Sequence, residues 1–225
     1  MKNKKVIIIG LLIVIVGVVL YLVLKDNNNN LNEFDTKAQE ILNGSDKAKD
    51  DVKNGKILVV YFSMAGEVYN VGDVTIGNTA IMASYIVDYL KADSYEIVPV
   101  KNYPTKYNDL IEVAKEEQRK NERPEIKNKI NNLDSYDTIF IGYPIWWGDL
   151  PPIVYTFLEQ NDFTNKIIIP FNTHEGSGSS GTHNTIKNKL TKANVNTNGL
   201  ALQGKVARIT EGKEKTINWL KGLGY

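Results

Sequence analysis

An α/β domain built on a doubly wound, five-stranded parallel sheet, with a membrane anchor ahead of it, is the architecture this sequence predicts. Three observations carry the prediction. From Lys56 onward, short runs of β-branched and aromatic residues alternate with stretches of helical spacing, the pattern of parallel α/β sheets. One of those runs, Thr138 to Tyr143, is apolar on consecutive positions, as in strands buried on both faces. Near the amino terminus, Val6 to Leu24 carries no charge and follows Lys2, Lys4 and Lys5.

The elements follow in order. Ile57 to Phe62 is the first strand, and Thr79 to Leu90 the first helix, with Met82, Ala83, Ile86, Tyr89 and Leu90 on one face. Tyr95 to Val100 is the second strand. Asn108 to Lys120 is the second helix, turning Leu110, Ile111 and Ala114 inward. The third strand, Thr138 to Tyr143, stops at Pro144, which has no N–H to give to a ladder. Pro151-Pro152 opens a helix through Gln160, proline being tolerated in a first turn. Lys166 to Phe171 is the fourth strand, Thr182 to Leu190 a helix, Leu200 to Val206 the fifth strand, and Lys213 to Leu220 the closing helix.

As a helix, Val6 to Leu24 would be about 28 Å long, close to the hydrocarbon thickness of a bilayer. A cleaved signal peptide is the competing reading, but no small-x-small cleavage pattern follows Leu24. The lysines place the amino terminus in the cytoplasm and the rest outside, as a single-pass protein of the cell membrane. The chain thus divides into an anchor (1–25), a linker or stalk (26–54) and a domain (55–225). Within the linker, Asn27 to Asn30 is a polar spacer. Phe34, Ala38, Ile41 and Leu42 have helical spacing ahead of Asn43-Gly44, so that Phe34 to Leu42 reads either as a short stalk helix or as a flexible tether.

Composition excludes several classes. Without the three leading lysines the chain has 24 basic and 26 acidic residues, which argues against nucleic-acid binding. Two histidines, no cysteine and no H-E-x-x-H argue against a zinc site, and no serine sits in a G-x-S-x-G elbow. No metal and no catalytic residue is expected.

The chemistry is expected where ligands bind in open α/β sheets, at the carboxyl ends of the strands. Ser63-Met-Ala-Gly66 follows the first strand, and after a detour Gly77-Asn-Thr79 opens a helix. Hydroxyls and free N–H groups at a helix start form an anion site, although Asn78 or Thr79 would also serve as an ordinary cap. Trp146-Trp147 follows the third strand and suits a flat aromatic ligand, unless both rings simply cap the core. Asn172 to Thr182, rich in glycine and serine, follows the fourth, where close backbone approach to a ligand accounts for it best. His174, beside Glu175, is a candidate for proton handling or cofactor contact.

These three loops resemble those of the flavodoxin-like family. Ser63 with Gly77-Asn78-Thr79 looks like its phosphate loop, Gly142-Tyr-Pro-Ile-Trp-Trp-Gly-Asp149 like its first flavin-ring loop, and Pro170 to Gly178 like its second. The resemblance covers Lys56 to Leu223. It implies a flavodoxin-like fold of strand order 2-1-3-4-5 with flavin mononucleotide (FMN) bound at the carboxyl edge. Carried over by position, Ser63, Ala65, Asn78, Thr79 and Ala80 would surround the phosphate. Pro144, Ile145, Trp146, Trp147 and Gly148 would run along the ring, with one tryptophan stacked on it. Thr173, His174, Gly176, Ser177 and Gly178 would approach its pyrimidine end. Asp149 would add negative charge near the ring and lower its potential. Compared with an uninterrupted Ser-x-x-Gly-Asn-Thr, eleven extra residues split this loop, implying either a flap over the cofactor or weaker binding, with Gly66 and Gly77 both candidates for the loop position.

The resulting expectation is a membrane-tethered, FMN-binding electron-transfer flavoprotein, passing electrons to a partner protein or a small acceptor. The alternatives are an FMN-dependent NAD(P)H or quinone-type reductase and a flavin-free binding module on the same fold.

Overall fold

The computed structural model describes Val16, Val18 to Leu22, Lys25, and residues 33–44 and 56–225. The segment Val6 to Leu24 lies largely outside the described residues. Those of it that are described are helical and exposed, and among the described residues no helix is long and apolar enough to cross a membrane.

Helix α1 spans residues 33–44. The domain then runs β1 (Ile57–Tyr61), β2 (Gly66–Val68), β3 (Gly72–Val74), α2 (Asn78–Leu90), β4 (Asp93–Glu96), α3 (Tyr107–Arg119), β5 (Thr138–Pro144) and α4 (Pro152–Gln160). It continues through β6 (Ile167–His174), α5 (Thr182–Lys189), β7 (Asn194–Val195), β8 (Leu200–Gln203), α6 (Gly204–Ala207) and α7 (Thr210–Gly222).

The main sheet is parallel, in the order β4-β1-β5-β6-β7, with β8 also pairing with β6. Its six strands correct the expected five. The last position is shared by two short segments, β7 against Ile167 and Ile168 and β8 against Phe171 to His174. Alternation along each strand divides the core. Leu58, Val60, Ile139 and Ile141 face one side, covered by α4 and α5 and flanked by α3. Val59, Tyr61, Phe140 and Phe171 face the other, covered by α2, α7 and α1.

Several element boundaries differ from expectation: the closing helix runs Thr210–Gly222 rather than Lys213 to Leu220, β5 includes Pro144 paired with Thr173, and three further shifts have a clear local reason. β4 lies earlier than Tyr95 to Val100, because Val98 and Val100 turn to pair with Lys127 and Glu125 instead. β6 extends to His174, because β8 supplies a neighbour for its last residues; Thr173 and His174 therefore sit on a strand, not in a loop. β8 ends at Gln203, and Gly204 begins a turn of helix. Residues 33–44 are a helix that lies on the domain, with Ala38 and Leu42 buried.

Candidate functional site

A cleft of about 290 Å³ opens at the carboxyl edge of β1, β5 and β6. At one end, β1 gives way to Ser63, Met64 and Ala65, and α2 begins with Gly77 as its cap. Between them the eleven-residue detour folds as the antiparallel hairpin β2–β3 and returns the chain to its starting point. A Cβ on Gly77 would overlap the Met64 carbonyl oxygen and the Ser63 Oγ, so only glycine fits. Gly66, the other candidate, has φ +105° and lies against Thr105 in the hairpin. Gly77 therefore holds the position at the helix start.

Gly77 offers no side chain to cap α2. Ser63 performs that task from a distance, its Oγ accepting the Ala80 N–H at 3.0 Å. Helix geometry leaves the Asn78 and Thr79 N–H groups without intrahelical acceptors, at the positive end of the helix dipole. The Thr79 hydroxyl shares a 2.7 Å hydrogen bond with the Thr173 hydroxyl, joining α2 to β6. None of the residues lining the cleft is Lys or Arg. An anion here would be held by backbone and hydroxyl donors.

The other end is aromatic, and its two tryptophans differ. Trp146 is 8% exposed and packs edge-on against Phe62 and Tyr103, at 5.4 and 5.1 Å between ring centres. Trp147 is 56% exposed. Its φ of +48° is unusual for a bulky residue, and its Nε1 donates to the Ile111 carbonyl at 3.0 Å. Pro144 and Ile145 complete this wall, and the Ile145 N–H donates to the Thr173 carbonyl at 2.9 Å, tying the two ring loops together.

The cleft brings together Ser63, Ala65, Asn78 and Thr79 at one end, Pro144 to Trp147 at the other, and Thr173 with His174 between. Five expected residues do not line it. Ala80 is buried beneath Ser63, with its N–H consumed there. Gly148, at φ +77°, turns the chain between the Trp146 and Asp149 backbones. Gly176, Ser177 and Gly178 fold back on the end of β6. The Gly176 N–H donates to His174 Nδ1, and Asn172 Nδ2 donates to the Gly178 carbonyl. Asp149 also points elsewhere, accepting from the Leu150 N–H and the Tyr155 hydroxyl.

A third wall joins the hairpin, where a flap was one of the two expectations, to α3, which was not expected to line the cleft. The hairpin contributes Glu67, Val68 and Tyr69; α3 contributes Tyr107, Leu110 and Ile111. Tyr69 stacks on Tyr107 at 5.5 Å, and the Glu67 carboxylate accepts the Tyr107 N–H at 3.2 Å. The apolar stripe of α3 gave the signal for this wall, but it was read as core. Glu175, within the stretch Thr173 to Gly178 expected near the ring, also lines the cleft. Burial pushes its carboxyl up, opposed by the Gly204 N–H and Lys205. Burial pushes His174 down, favouring the neutral imidazole, and acceptance at Nδ1 leaves its proton on Nε2. Among the described residues no cluster of acidic and histidine side chains is placed to hold a metal ion.

A helix start prepared for an anion, a flat aromatic wall and three loops from successive strands are the features to compare. The sequence profile of the flavodoxin family matches residues 56–223. The chain belongs to the flavodoxin family. Among solved structures, this flavodoxin-family chain is similar to a proposed flavoprotein from Bacteroides uniformis ATCC 8492. The identity is 30% and the TM-score 0.60, over 75% of this chain and 99% of that one. Another, from Bacteroides eggerthii DSM 20697, shares 29% identity at a TM-score of 0.61, over 76% and 99% of the two chains. A flavoprotein from Lactobacillus acidophilus NCFM, solved in complex with FMN, shares the fold at 23% identity and a TM-score of 0.53, over 68% and 95%. Among curated proteins, none matches the chain.

Proposed function

We propose that the cleft binds FMN and that the protein transfers electrons while tethered to a membrane by its amino-terminal segment. The observation that carries this reading is the convergence of Ser63, Gly77 and the start of α2 opposite the Trp147 wall. The residues fit the group: two backbone amides and two hydroxyls face one end, glycine is sterically required beside them, and aromatic side chains line the other end. FMN binding in the Lactobacillus acidophilus relative supports the choice of cofactor.

When bound, the flavin supplies the redox chemistry. The chain's residues bind it and control access. The Asn78 and Thr79 amides and the Ser63 and Thr79 hydroxyls hold the phosphate. Trp147 flanks the ring system, while Trp146 fixes the wall from behind. His174, neutral and carrying its proton on Nε2, offers a hydrogen bond toward the cleft. The wall of Tyr69, Tyr107, Leu110 and Ile111 favours a second reading, a reductase that admits a small flat acceptor such as a quinone.

The test is colour. Full-length protein purified in detergent should show flavin absorbance near one equivalent, or gain it on reconstitution. A colourless protein that cannot be reconstituted would leave only a flavin-free binding module. Reduction in one-electron steps that passes to a partner protein supports the carrier. Rapid oxidation by a soluble quinone, driven by a nicotinamide donor, supports the reductase.

The tether rests on the uncharged run Val6 to Leu24 behind Lys2, Lys4 and Lys5. The protein should remain with membranes through alkaline carbonate, and protease added to intact cells should reach the domain. Release by carbonate or complete protection would overturn this placement.

A further inference from the structure

Behind the phosphate end of the cleft lies a buried ion pair that joins the two ends of the chain. Arg208 follows α6, and Asp35 lies on α1, outside the 56–223 stretch that matches the family. Their side chains are 1% and 7% exposed. One Arg208 nitrogen is paired with an Asp35 oxygen. The other donates to the Ile76 carbonyl at 2.9 Å and to the Asn78 Oδ1 at 3.3 Å. The second Asp35 oxygen accepts the Thr75 hydroxyl at 2.6 Å, the Thr75 N–H at 3.0 Å and the Ile76 N–H at 3.3 Å. The pair therefore grips Thr75, Ile76 and Asn78, the residues on either side of Gly77. Farther along the same helix, Gln39 and Leu42 line a small cavity whose other walls include Ser63, Gly77 and Ala80. Helix α1 thus backs the phosphate loop at two separate places.

We propose that Asp35 and Arg208 are positioning residues for the cofactor phosphate, and that α1 is a built-in part of the cofactor site. This inference rests on the FMN reading above. The physical reason is orientation. The Asn78 and Thr79 amides serve an anion only if the turn Thr75 to Gly77 presents them together. That turn has no regular secondary structure of its own to fix it. A charge-assisted network fixes it from behind. Riboflavin, which lacks the phosphate, makes no use of those amides.

The experiment uses the full-length protein in detergent, titrated with FMN and with riboflavin and followed by flavin fluorescence. Asp35→Asn should weaken FMN binding at least tenfold and riboflavin binding less than twofold, so that the preference for the phosphorylated form collapses. Because that change leaves Arg208 unpaired and could prevent folding, Thr75→Val is the second variant. Thr75 is exposed, and its loss removes one bond to Asp35 while keeping the ion pair. It should lower the FMN preference about threefold. Leu220→Ala, buried in α7, serves as the control. It should lower the melting temperature and leave the preference unchanged. If Thr75→Val, and Asp35→Asn where it folds, keep the wild-type preference, or if Leu220→Ala shifts it as much, the pair is only a structural tie. If the wild-type protein itself binds FMN no better than riboflavin, the phosphate assignment fails, and this inference falls with it.

Discussion

The two ends of the cleft are built on opposite plans. The proposed phosphate end is made of backbone amides, small residues and hydroxyls, with buried and half-buried hydrogen bonds behind it. The ring end is made of large side chains, of which one is core and its neighbour is surface. Backbone donors on a helix cannot be rearranged without disturbing the fold, whereas an exposed ring can be replaced at little structural cost. Selectivity for phosphate is therefore expected to be rigid, and affinity for the ring tunable.

The largest effect tests the ring end. Trp146→Ala removes a buried ring held between Phe62 and Tyr103 and should destabilise the unliganded protein by about 3–5 kcal/mol. A chemical denaturation series measures it. A loss of flavin affinity with no loss of stability would break the division between the two tryptophans. Next, Gly77→Ala forces a Cβ into the Met64 carbonyl and Ser63 Oγ. The overpacking costs about 1–3 kcal/mol, and the displaced amides should weaken FMN roughly a hundredfold. Calorimetry at equal stability of fold would sharpen the comparison, and unchanged binding would undo the cradle.

Thr79→Ala removes one hydroxyl from the proposed phosphate end together with its bond to Thr173. FMN binding should fall by about 1.5–3 kcal/mol, the range for hydrogen bonds to charged groups, with riboflavin nearly unaffected. Equal losses for the two ligands would make Thr79 only a strut between α2 and β6. Trp147→Ala should leave the melting temperature almost unchanged and cost about 0.5–1.5 kcal/mol of flavin affinity through lost stacking. A large stability loss instead would mean that the Nε1 bond to Ile111 anchors the loop.

The smallest effect is on pH. Burial lowers His174 and His183 below the ordinary value of 6.5. The unfolded chain therefore takes up protons first as pH falls. The stability linked to neutral imidazoles should be complete above 6.5 and lost as pH falls from there through the folded-state values. Glu175 and Glu117, raised by burial, act with the opposite sign in the window above 4.5. Following each imidazole Cε1 proton by NMR separates the contributions, and a midpoint above 6.5 for either would reverse the sign.

Much of this contrast was legible in the sequence, and its limits are physical. Ser63 and Gly77-Asn78-Thr79 could be read because the residues that make the contacts also make the motif. The strand runs could be read because burial on both faces leaves no polar alternation. Trp146 and Trp147 were harder: adjacent residues leaving a strand end fall on opposite sides, but the sequence does not say which side is core. β7, two residues long, carries no periodicity at all. The spacing of Phe34, Ala38, Ile41 and Leu42 allowed a helix but left a flexible tether equally open, and it named no partner. Asp35 looked like any solvated carboxylate of a linker. Its role depends on an arginine far along the chain, and no local pattern records such a meeting.

That separation has a consequence for the order of assembly. Asp35 and Arg208 are 173 positions apart. As the chain emerges amino terminus first, Asp35 appears early and must wait until almost the whole domain has been synthesised. The sheet can begin to form from β1, β4 and β5, but the turn ahead of α2 stays without its brace until the segment after β8 arrives. Closing so long a loop is also among the slower steps available to a folding domain. On the proposal above, a chain still lacking the segment after β8 would hold the cofactor phosphate more weakly than the finished domain.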